Sequence, residues 1–489
     1  MKNLYHITLL LTASLLVLSC SNELDQEPKS IISNQSFWKT QDDAEGALYG
    51  AYVDLREVSR FDLNILGEHR SDILGIGLAG DGGYRKYYEN TISADDAGPS
   101  WEKFYKIINS SNLIIKYVED IDFVGNDSAK NTILAEAYTM RAFAYFVMVR
   151  TWGKVILHTE PIESANAELT HKERSSKQEV FNLIKADLEK AIALFPNNDM
   201  PDGRNRWSLA GAKALKGDVF LWTGKMESGG AEDFTVALSA FNDVVGTEGI
   251  DLLPNYSDVH KFDNKGNNEI IMAVRYDQFE SSNNYIQDMY ILSQQIPSDL
   301  DPTTRDLIVP GGGNAIVLPT KSIADQFSLD DSRRNATFVE LFSQGELYAI
   351  LAQKNTGTVI DGSRLFLNDV VLYRLADILL MRAETLNALD QDPSDDMNRV
   401  RERAYGENFP DHVFVNQSKS LNDEEILRER LFELMLEGKR WWDLVRFNKV
   451  FELVPSLQGR DDDKFLVWPI SNEILSLEPK VEQNTGWGF

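Results

Sequence analysis

Arg430, Glu433, Glu437, Arg440, Asp443 and Arg446 recur at spacings of three or four residues. Two carboxylates flanking a sugar linkage could act as general acid and as nucleophile or base in glycoside hydrolysis. On a helix, however, this spacing puts all six side chains on one face, with acids and arginines interleaved. Arginine neighbours keep a carboxylate ionised, whereas a general acid needs a raised pKa. The pattern predicts an ion-pair ladder and no catalytic pair.

Other chemical patterns fail on context. Gly75-Ile76-Gly77-Leu78-Ala79-Gly80 matches a dinucleotide-binding turn by letter. It follows the polar Glu68-His69-Arg70-Ser71-Asp72 instead of an apolar strand, and runs into Asp81-Gly82-Gly83 instead of a helix, so a loop is expected. Gly311-Gly312-Gly313 lacks the Lys-Ser/Thr of a phosphate loop and reads as a turn. Beyond the first twenty residues the histidines are His69, His158, His171, His260 and His412, too far apart in sequence for a helical zinc pair. There is no G-x-S-x-G nucleophile elbow. Asp461-Asp462-Asp463 lacks the spacing of a calcium loop and reads as a solvated turn. No catalytic residue, metal or cofactor is expected.

The single cysteine of the 489 residues is Cys20. It follows an apolar run of 12 residues, Ile7 to Leu18. That run is too short to span a bilayer as a helix, which takes ~20 residues, but it suits a signal peptide. A lone cysteine just after such a run resembles a bacterial lipobox. The expectation is removal of residues 1–19, lipidation of Cys20, and a polar tether over residues 20–36. With that thiol acylated, no disulfide and no cysteine metal site can form. Lys plus Arg number 49 and Asp plus Glu 76, a net charge of −27. Such a surface repels phosphate backbones and anionic lipid, so no nucleic-acid partner is expected and the membrane is reached through the lipid anchor only.

These residues must be held by a scaffold, and helical periodicity dominates the first half. Thr40 can cap a helix with Ala44, Leu48, Tyr52 and Leu55 on its apolar face. Ser100 can cap a second, and a third runs from about Asn131 to Trp152. Ser175 with Gln178 makes a capping box for a fourth, ending at Phe195-Pro196. Ser208 caps a fifth, ending near Gly224, and a sixth spans about Asp233 to Val245. Ala186…Lys190-Ala191…Leu194-Phe195-Pro196, Ala212…Gly217…Leu221…Gly224 and Ala237…Phe241 read as degenerate tetratricopeptide helices, where small residues admit a neighbour's aromatic ring. With the Ala135–Trp152 and Leu372–Leu389 helices, about four helix pairs are expected. Residues 246–370 are richer in Gly, Asn, Asp and Pro, with β-like runs at 269–275, 315–318 and 364–367. They predict a loop-rich half carrying a binding surface.

Tyr373-Arg374-Leu375-Ala376-Asp377-Ile378-Leu379-Leu380-Met381-Arg382-Ala383-Glu384 resembles a signature of the SusD/RagB family. Arg430…Glu433-Leu434…Glu437-Gly438-Lys439-Arg440…Asp443-Leu444-Val445-Arg446-Phe447 does too, as do Asn398-Arg399-Val400-Arg401, Trp468-Pro469-Ile470 and Gln483-Asn484…Gly486-Trp487. Upstream, Ala135-Glu136-Ala137…Arg141-Ala142-Phe143, Trp152-Gly153-Lys154-Val155 and Phe37-Trp38 fit as well. The matches run in order from residue 37 to 489. The connection between Leu389 and Asn398 is shorter than usual and contains Pro393, so the last tetratricopeptide helix is expected to be trimmed. The resemblance implies a surface lipoprotein of Bacteroidetes that binds glycans or other nutrients above a SusC-like TonB-dependent transporter.

A neutral sugar is held by aromatics stacked on its CH face and by forked polar groups on its hydroxyls. Trp38, Trp152, Trp441, Trp442, Trp468 and Trp487 lie in the motifs above, and Trp101, Trp207 and Trp222 on predicted helices. The platforms are therefore sought in Tyr and Phe. The resemblance implies ligand contacts in two loop stretches. The first, residues 68–97, offers Arg70, Asp72, Tyr84, Arg85, Tyr87 and Tyr88. There Glu68-x-Arg70-x-Asp72 resembles a family feature at the loop entry. The second, residues 275–294, offers Tyr276, Phe279, Asn283, Asn284, Tyr285 and Tyr290. One site is expected to draw on both.

The sequence thus reads as a mainly α-helical protein, with a single domain over residues 37–489. Residues 37–245 carry helix pairs, 246–370 the ligand-side loops, and 371–489 the C-terminal helices and motifs. The expected function is capture of an oligosaccharide at the outer face of the outer membrane and its delivery to the transporter, without catalysis. Two other readings are a surface glycoside hydrolase, marked by hydrolysis of a glycan, and a tetratricopeptide-type module that binds peptide and no sugar.

Overall fold

Thr40 opens the first long helix, α1 (Gln41–Ser59), by a reciprocal capping box. Its hydroxyl accepts from the Asp43 N–H at 3.2 Å, and its own N–H donates to Asp43 Oδ2 at 2.8 Å. A computed structural model describes residues 37–164, 171–280 and 283–488. The signal peptide, Cys20 and the tether expected from the sequence lie outside those residues.

Caps deduced from sequence recur with small shifts. Ser100 accepts from the Glu102 N–H at 3.2 Å, and α2 (Glu102–Val118) starts behind the buried ring of Trp101. Helix α3 (Asp127–Trp152) begins a turn before its periodic run, because Asn126 accepts from the Ala129 N–H at 3.3 Å. The capping box of α4 (Lys177–Leu194) is Ser176 with Glu179, one residue later than read. Ser175 is instead tied into a bridge, its N–H donating to Val155 O at 2.8 Å. Ser208 caps α5 (Leu209–Met226), and α6 (Gly230–Val245) follows.

Each of α1 to α6 packs on the next, and α6 hands the stack to α7 (Leu375–Ala388), which touches α8 (Ser394–Tyr405) and α9 (Lys419–Leu434). The small-residue pattern explains the tight pair α5–α6. A Cβ on Gly217 would overlap the ring of Phe241, and one on Gly224 the ring of Phe234. The fold is mainly α with tetratricopeptide-like pairs, as the sequence reading has it. Helix α8 keeps 12 residues.

Four two-stranded antiparallel sheets occur among the described residues, most of their strands in the loop-rich part. Strand β1 (Leu74–Ile76) pairs with β3 (Val317–Pro319), and β2 (Ile270–Val274) with β8 (Val370–Arg374). The pairs β4 (Phe338–Ser343) with β5 (Glu346–Ala352) and β6 (Thr358–Ile360) with β7 (Ser363–Leu365) are hairpins. The strand run at 315–318 and the Leu372–Leu389 helix need correction. The former starts two residues later, and the latter is strand up to Arg374, because Tyr373 and Arg374 pair into the sheet with β2.

Trp152, Trp207, Trp441 and Trp468 are buried in one large apolar core. The C-terminal tail closes onto the end of α3. The Trp468 N–H donates to Thr151 O at 2.8 Å, and Asn484 Nδ2 donates to Trp152 O at 3.0 Å and Trp468 O at 2.8 Å. No helix among the described residues is long and apolar enough to cross a membrane.

Candidate functional site

The charged motif at 430–446 does not form one helical ladder. Helix α9 ends at Leu434, and Leu436 and Gly438 take left-handed conformations, φ +68° and +72°, before α10 (Arg440–Arg446) begins. Its charges reach partners far away in the chain. Arg374 binds Glu433 Oε1 at 2.5 Å, Glu437 Oε2 at 2.8 Å and Glu269 Oε1 at 2.7 Å. Arg430 bridges Asp377 and Asp443, each at 2.9 Å. Arg446 holds Glu384 with two contacts of 2.8 Å. Burial alone would raise the Glu437 carboxyl, but Arg374, Lys354 and His260 outweigh it and hold it well below the carboxylate range. Glu433 is likewise held low by Arg403, Arg374 and Arg333 against its burial. These acids stay ionised and are unsuited to general-acid chemistry.

The segment Glu68 to Asp72 locks onto this cluster. Glu68 accepts from the N–H groups of Leu436 at 2.8 Å and Lys439 at 2.9 Å. Asp72 pairs with Arg440. Arg70 donates to Asn90 Oδ1 at 2.7 Å and Phe465 O at 2.6 Å, with its guanidinium 4.3 Å from the Trp441 ring centre. Arg70 and Asp72, expected at the ligand, are thus buried clamps between the first loop stretch and the C-terminal motifs.

Five more of the twelve expected contacts are buried too. Tyr87 packs on Trp468 and Tyr84. The Tyr276 hydroxyl meets Ser59 Oγ at 3.0 Å, Tyr285 donates to Leu436 O at 2.8 Å, and Tyr290 donates to Leu307 O at 3.3 Å. Asn284 donates to Asn368 O at 2.9 Å. Burial pushes the Tyr276 and Tyr290 hydroxyls up to about 12. Rings enclosed in this way present no face for stacking. Asn283 is half-buried, its Oδ1 accepting from the Phe366 N–H at 2.8 Å. Tyr84 and Tyr88 are half-buried, Arg85 is exposed and paired with Glu89 at 2.9 Å, and Phe279 is 87% exposed.

The two stretches nevertheless meet. Tyr84 donates to Asp288 Oδ2 at 2.8 Å, and Asn314 Nδ2 donates to Asp288 Oδ1 at 2.6 Å. A third segment, read only as a turn and a strand, completes the junction. The Gly77 N–H donates to Ile316 O at 2.9 Å, and the Asn314 N–H to Gln287 O at 2.7 Å. Gly313 lies so close to Tyr290 that a Cβ would overlap its backbone, which is the one sequence signal for this contact. The resulting face offers exposed Ile76 and half-buried Leu78, Tyr84, Gln287, Asn314 and Ile316.

At the start of the second stretch, a cleft of about 550 Å³ lies beside α1. Tyr49, 54% exposed, lines it with Arg56, Arg206, Arg275 and Glu280. Arg206 is held by Glu136 at 3.0 and 2.5 Å, with its guanidinium 5.8 Å from the Tyr49 ring centre. Arg56 pairs with Glu280 at 3.2 Å. An aromatic face beside paired, forked cations suits hydroxyl-bearing ligands better than a bare anion. Among the described residues no group of three or more His, Cys, Asp or Glu is arranged to hold a metal ion.

Residues 353–487 match the SusD family, and residues 81–215 match a family described as starch-binding and associating with the outer membrane. The chain is 30% identical to SusD-like protein P38 of Formosa agariphila over 98% of both chains. It is similar to the solved structure of NanU of B. fragilis, with 29% identity, TM-score 0.80, and 95% of this chain and 100% of that one covered. A SusD superfamily protein from Bacteroides vulgatus is similar at 28% identity and TM-score 0.82, over 92% of this chain and 100% of the other.

Proposed function

This chain belongs to the SusD/RagB family, and from that membership we propose that it is a surface lipoprotein that captures an oligosaccharide and passes it to a SusC-like TonB-dependent transporter. Cys20 carries the lipid and holds the protein at the outer face of the outer membrane. Residues 37–489 act as one domain that carries the ligand loops. No bond is made or broken, consistent with acids that are all paired in the 430–446 motif.

The observation that carries the reading is the Tyr84–Asp288 hydrogen bond of 2.8 Å, which joins the two aromatic loop stretches on one face. The starch-binding description attached to residues 81–215 supports a glycan as the ligand. Tyr84, Arg85, Tyr88 and Phe279 keep enough exposure to contact it, and Gln287 and Asn314 add amides for its hydroxyls. Calorimetric titration of the mature protein with a panel of oligosaccharides tests this. Tyr88→Ala should weaken the binding oligosaccharide about tenfold, ~1.4 kcal/mol. Wild-type affinity in Tyr84→Ala, Tyr88→Ala and Phe279→Ala alike would move the site elsewhere.

A further inference from the structure

A second concavity shares no residue with the loop face. It lies where the first turns of α2, the segment 156–162 and the short helix Asn472–Leu477 come together. It encloses about 270 Å³. That is just under the ~300 Å³ at which drug-sized sites begin, and suits a molecule of one or two rings. Its floor is apolar, with Ile108, Ile156 and Ile474 buried. Leu477 shares a helix face with Ile474, three residues on, yet is 64% exposed and forms the lip. Trp101 and Tyr105 meet edge to face at 5.8 Å, and Tyr105 meets the His158 ring in the same way at 5.7 Å. The pocket thus combines an aliphatic floor with a row of three rings.

Most of its polar groups are already engaged. The Tyr105 hydroxyl donates to Ile156 O at 2.9 Å and accepts from the Ile156 N–H at 2.8 Å. Asn109 Oδ1 accepts from the Ile162 N–H at 2.7 Å, and Asn112 Nδ2 donates to His158 O at 3.0 Å. The His158 ring is the exception. It lines the pocket and is 7% exposed, and neither of its nitrogens has a hydrogen-bond partner among the described residues. Neither nitrogen is sealed from solvent, so an occupant can reach them. Burial, helped by the charge of Lys172, brings the imidazole from 6.5 down to about 4. At neutral pH the ring is therefore uncharged and offers one donor and one acceptor.

The charges around the pocket select the occupant. Three carboxylates line it, Glu102, Glu473 and Glu478, and among the described residues no lysine or arginine does. Glu478 is paired with His171 at 2.9 Å, and Glu102 meets Lys106 only at 3.9 Å. The exposed Glu473 has no ion pair among the described residues. Carboxylates at the mouth repel an anion and attract an ammonium, and aromatic rings behind them favour the same cation. We propose that this pocket binds a small aromatic amine. The ring of the ligand lies on the apolar floor, an N–H or O–H on that ring meets His158, and the ammonium sits beside Glu473.

The probes are tryptamine, tyramine, phenethylamine and indole-3-acetate, each added to the full mature protein and followed by saturation-transfer NMR and titration. Tryptamine or tyramine should bind in the millimolar range or tighter, as expected for about a dozen heavy atoms. The better of the two should shift the His158 ring resonances of the wild-type protein, a readout that needs no variant. Phenethylamine, which lacks a ring donor, should bind about threefold to tenfold more weakly than tyramine. Indole-3-acetate, with the charge reversed, should bind at least about tenfold more weakly than tryptamine. Glu473→Gln should narrow that last gap and Leu477→Ser should weaken every probe, while Glu473→Gln leaves the oligosaccharide titration as in wild type. The proposal is overturned if neither amine transfers saturation, if His158 does not shift, or if indole-3-acetate binds as tightly as tryptamine. Wild-type affinity for tryptamine in both Glu473→Gln and Leu477→Ser would overturn it too. Failure of every oligosaccharide at the loop face leaves these outcomes untouched, so the two readings stand or fall separately.

Discussion

Asp72 grips Arg440 through two parallel hydrogen bonds, 2.9 and 2.8 Å long, across 368 residues of sequence. Both side chains are buried. The pair is the closing bolt of a contact in which Glu68 and Arg70 also take part, and it joins the first loop stretch to the last family motif.

Breaking that bolt from one side strands a buried charge. Arg440→Ala and Asp72→Ala should each cost about 3–5 kcal/mol. Chemical denaturation measures the loss, and calorimetry on the folded fraction should find glycan affinity retained. Full stability combined with lost binding would return this pair to the ligand site.

Acid should unfold the protein through the same kind of group. Glu384 is buried, which alone would raise its carboxyl, but Arg446 and Lys225 prevail and bring it from 4.5 to about 2. A carboxyl lowered by folding adds stability above its unfolded pKa and loses it as pH falls through the folded value. The contribution, on the order of 3 kcal/mol, should vanish between about pH 4.5 and 2. Unfolding midpoints across that range should fall steeply, and Glu384→Gln should be less stable at neutral pH with a flatter acid limb.

Buried and exposed aromatics should separate cleanly. Tyr285→Phe removes the hydrogen bond to Leu436 O and should cost about 0.5–1.5 kcal/mol of stability, with affinity unchanged. Phe279→Ala removes a ring that is 87% exposed and should leave the unfolding midpoint in place while weakening glycan binding. An unaltered titration curve for Phe279→Ala would remove that residue from the site.

Gly217→Ala tests the helix-pair packing. In a solvent-facing helix the change would stabilise by ~1 kcal/mol. Here the added methyl meets the Phe241 ring, so a net loss of about 1–3 kcal/mol is expected. Phe241→Leu in the same chain should recover part of it. A stabilised single variant would show that the α5–α6 contact is looser than described.

Cys20→Ala should yield a folded protein that carries no acyl chain and fractionates away from outer membranes when the proposed transporter partner is absent. Mass spectrometry and fractionation check both halves, and membrane retention without acylation would contradict the lipid-anchor reading.

Much of this architecture was legible because helices announce themselves locally. Thr40 and Ser208 cap where the sequence puts them, and Gly217 faces Phe241 as the small-residue pattern demands. The failures are long-range. Charges at 430–446 have helical spacing, yet Arg374, Arg333 and Lys354 are their partners, and no local pattern reports that. Tyr276, Tyr285 and Tyr290 sit in polar stretches and read as exposed. A tyrosine can bury its ring while its hydroxyl finds a carbonyl or a serine, so a polar neighbourhood does not decide its fate. Asn314 and Gln287 escaped notice because only the fold brings them beside Tyr84.

A row of stacked helix pairs is in principle an open-ended rod, from which terminal units can fray one at a time. The tail from Trp468 to Asn484, hydrogen-bonded to the last turn of α3, pins the far end of the chain back onto the middle of that row. The C-terminal end is then not free to peel. Heat or denaturant should melt the array in one cooperative step, and a protease would find no loose repeat at the C-terminal end from which to begin.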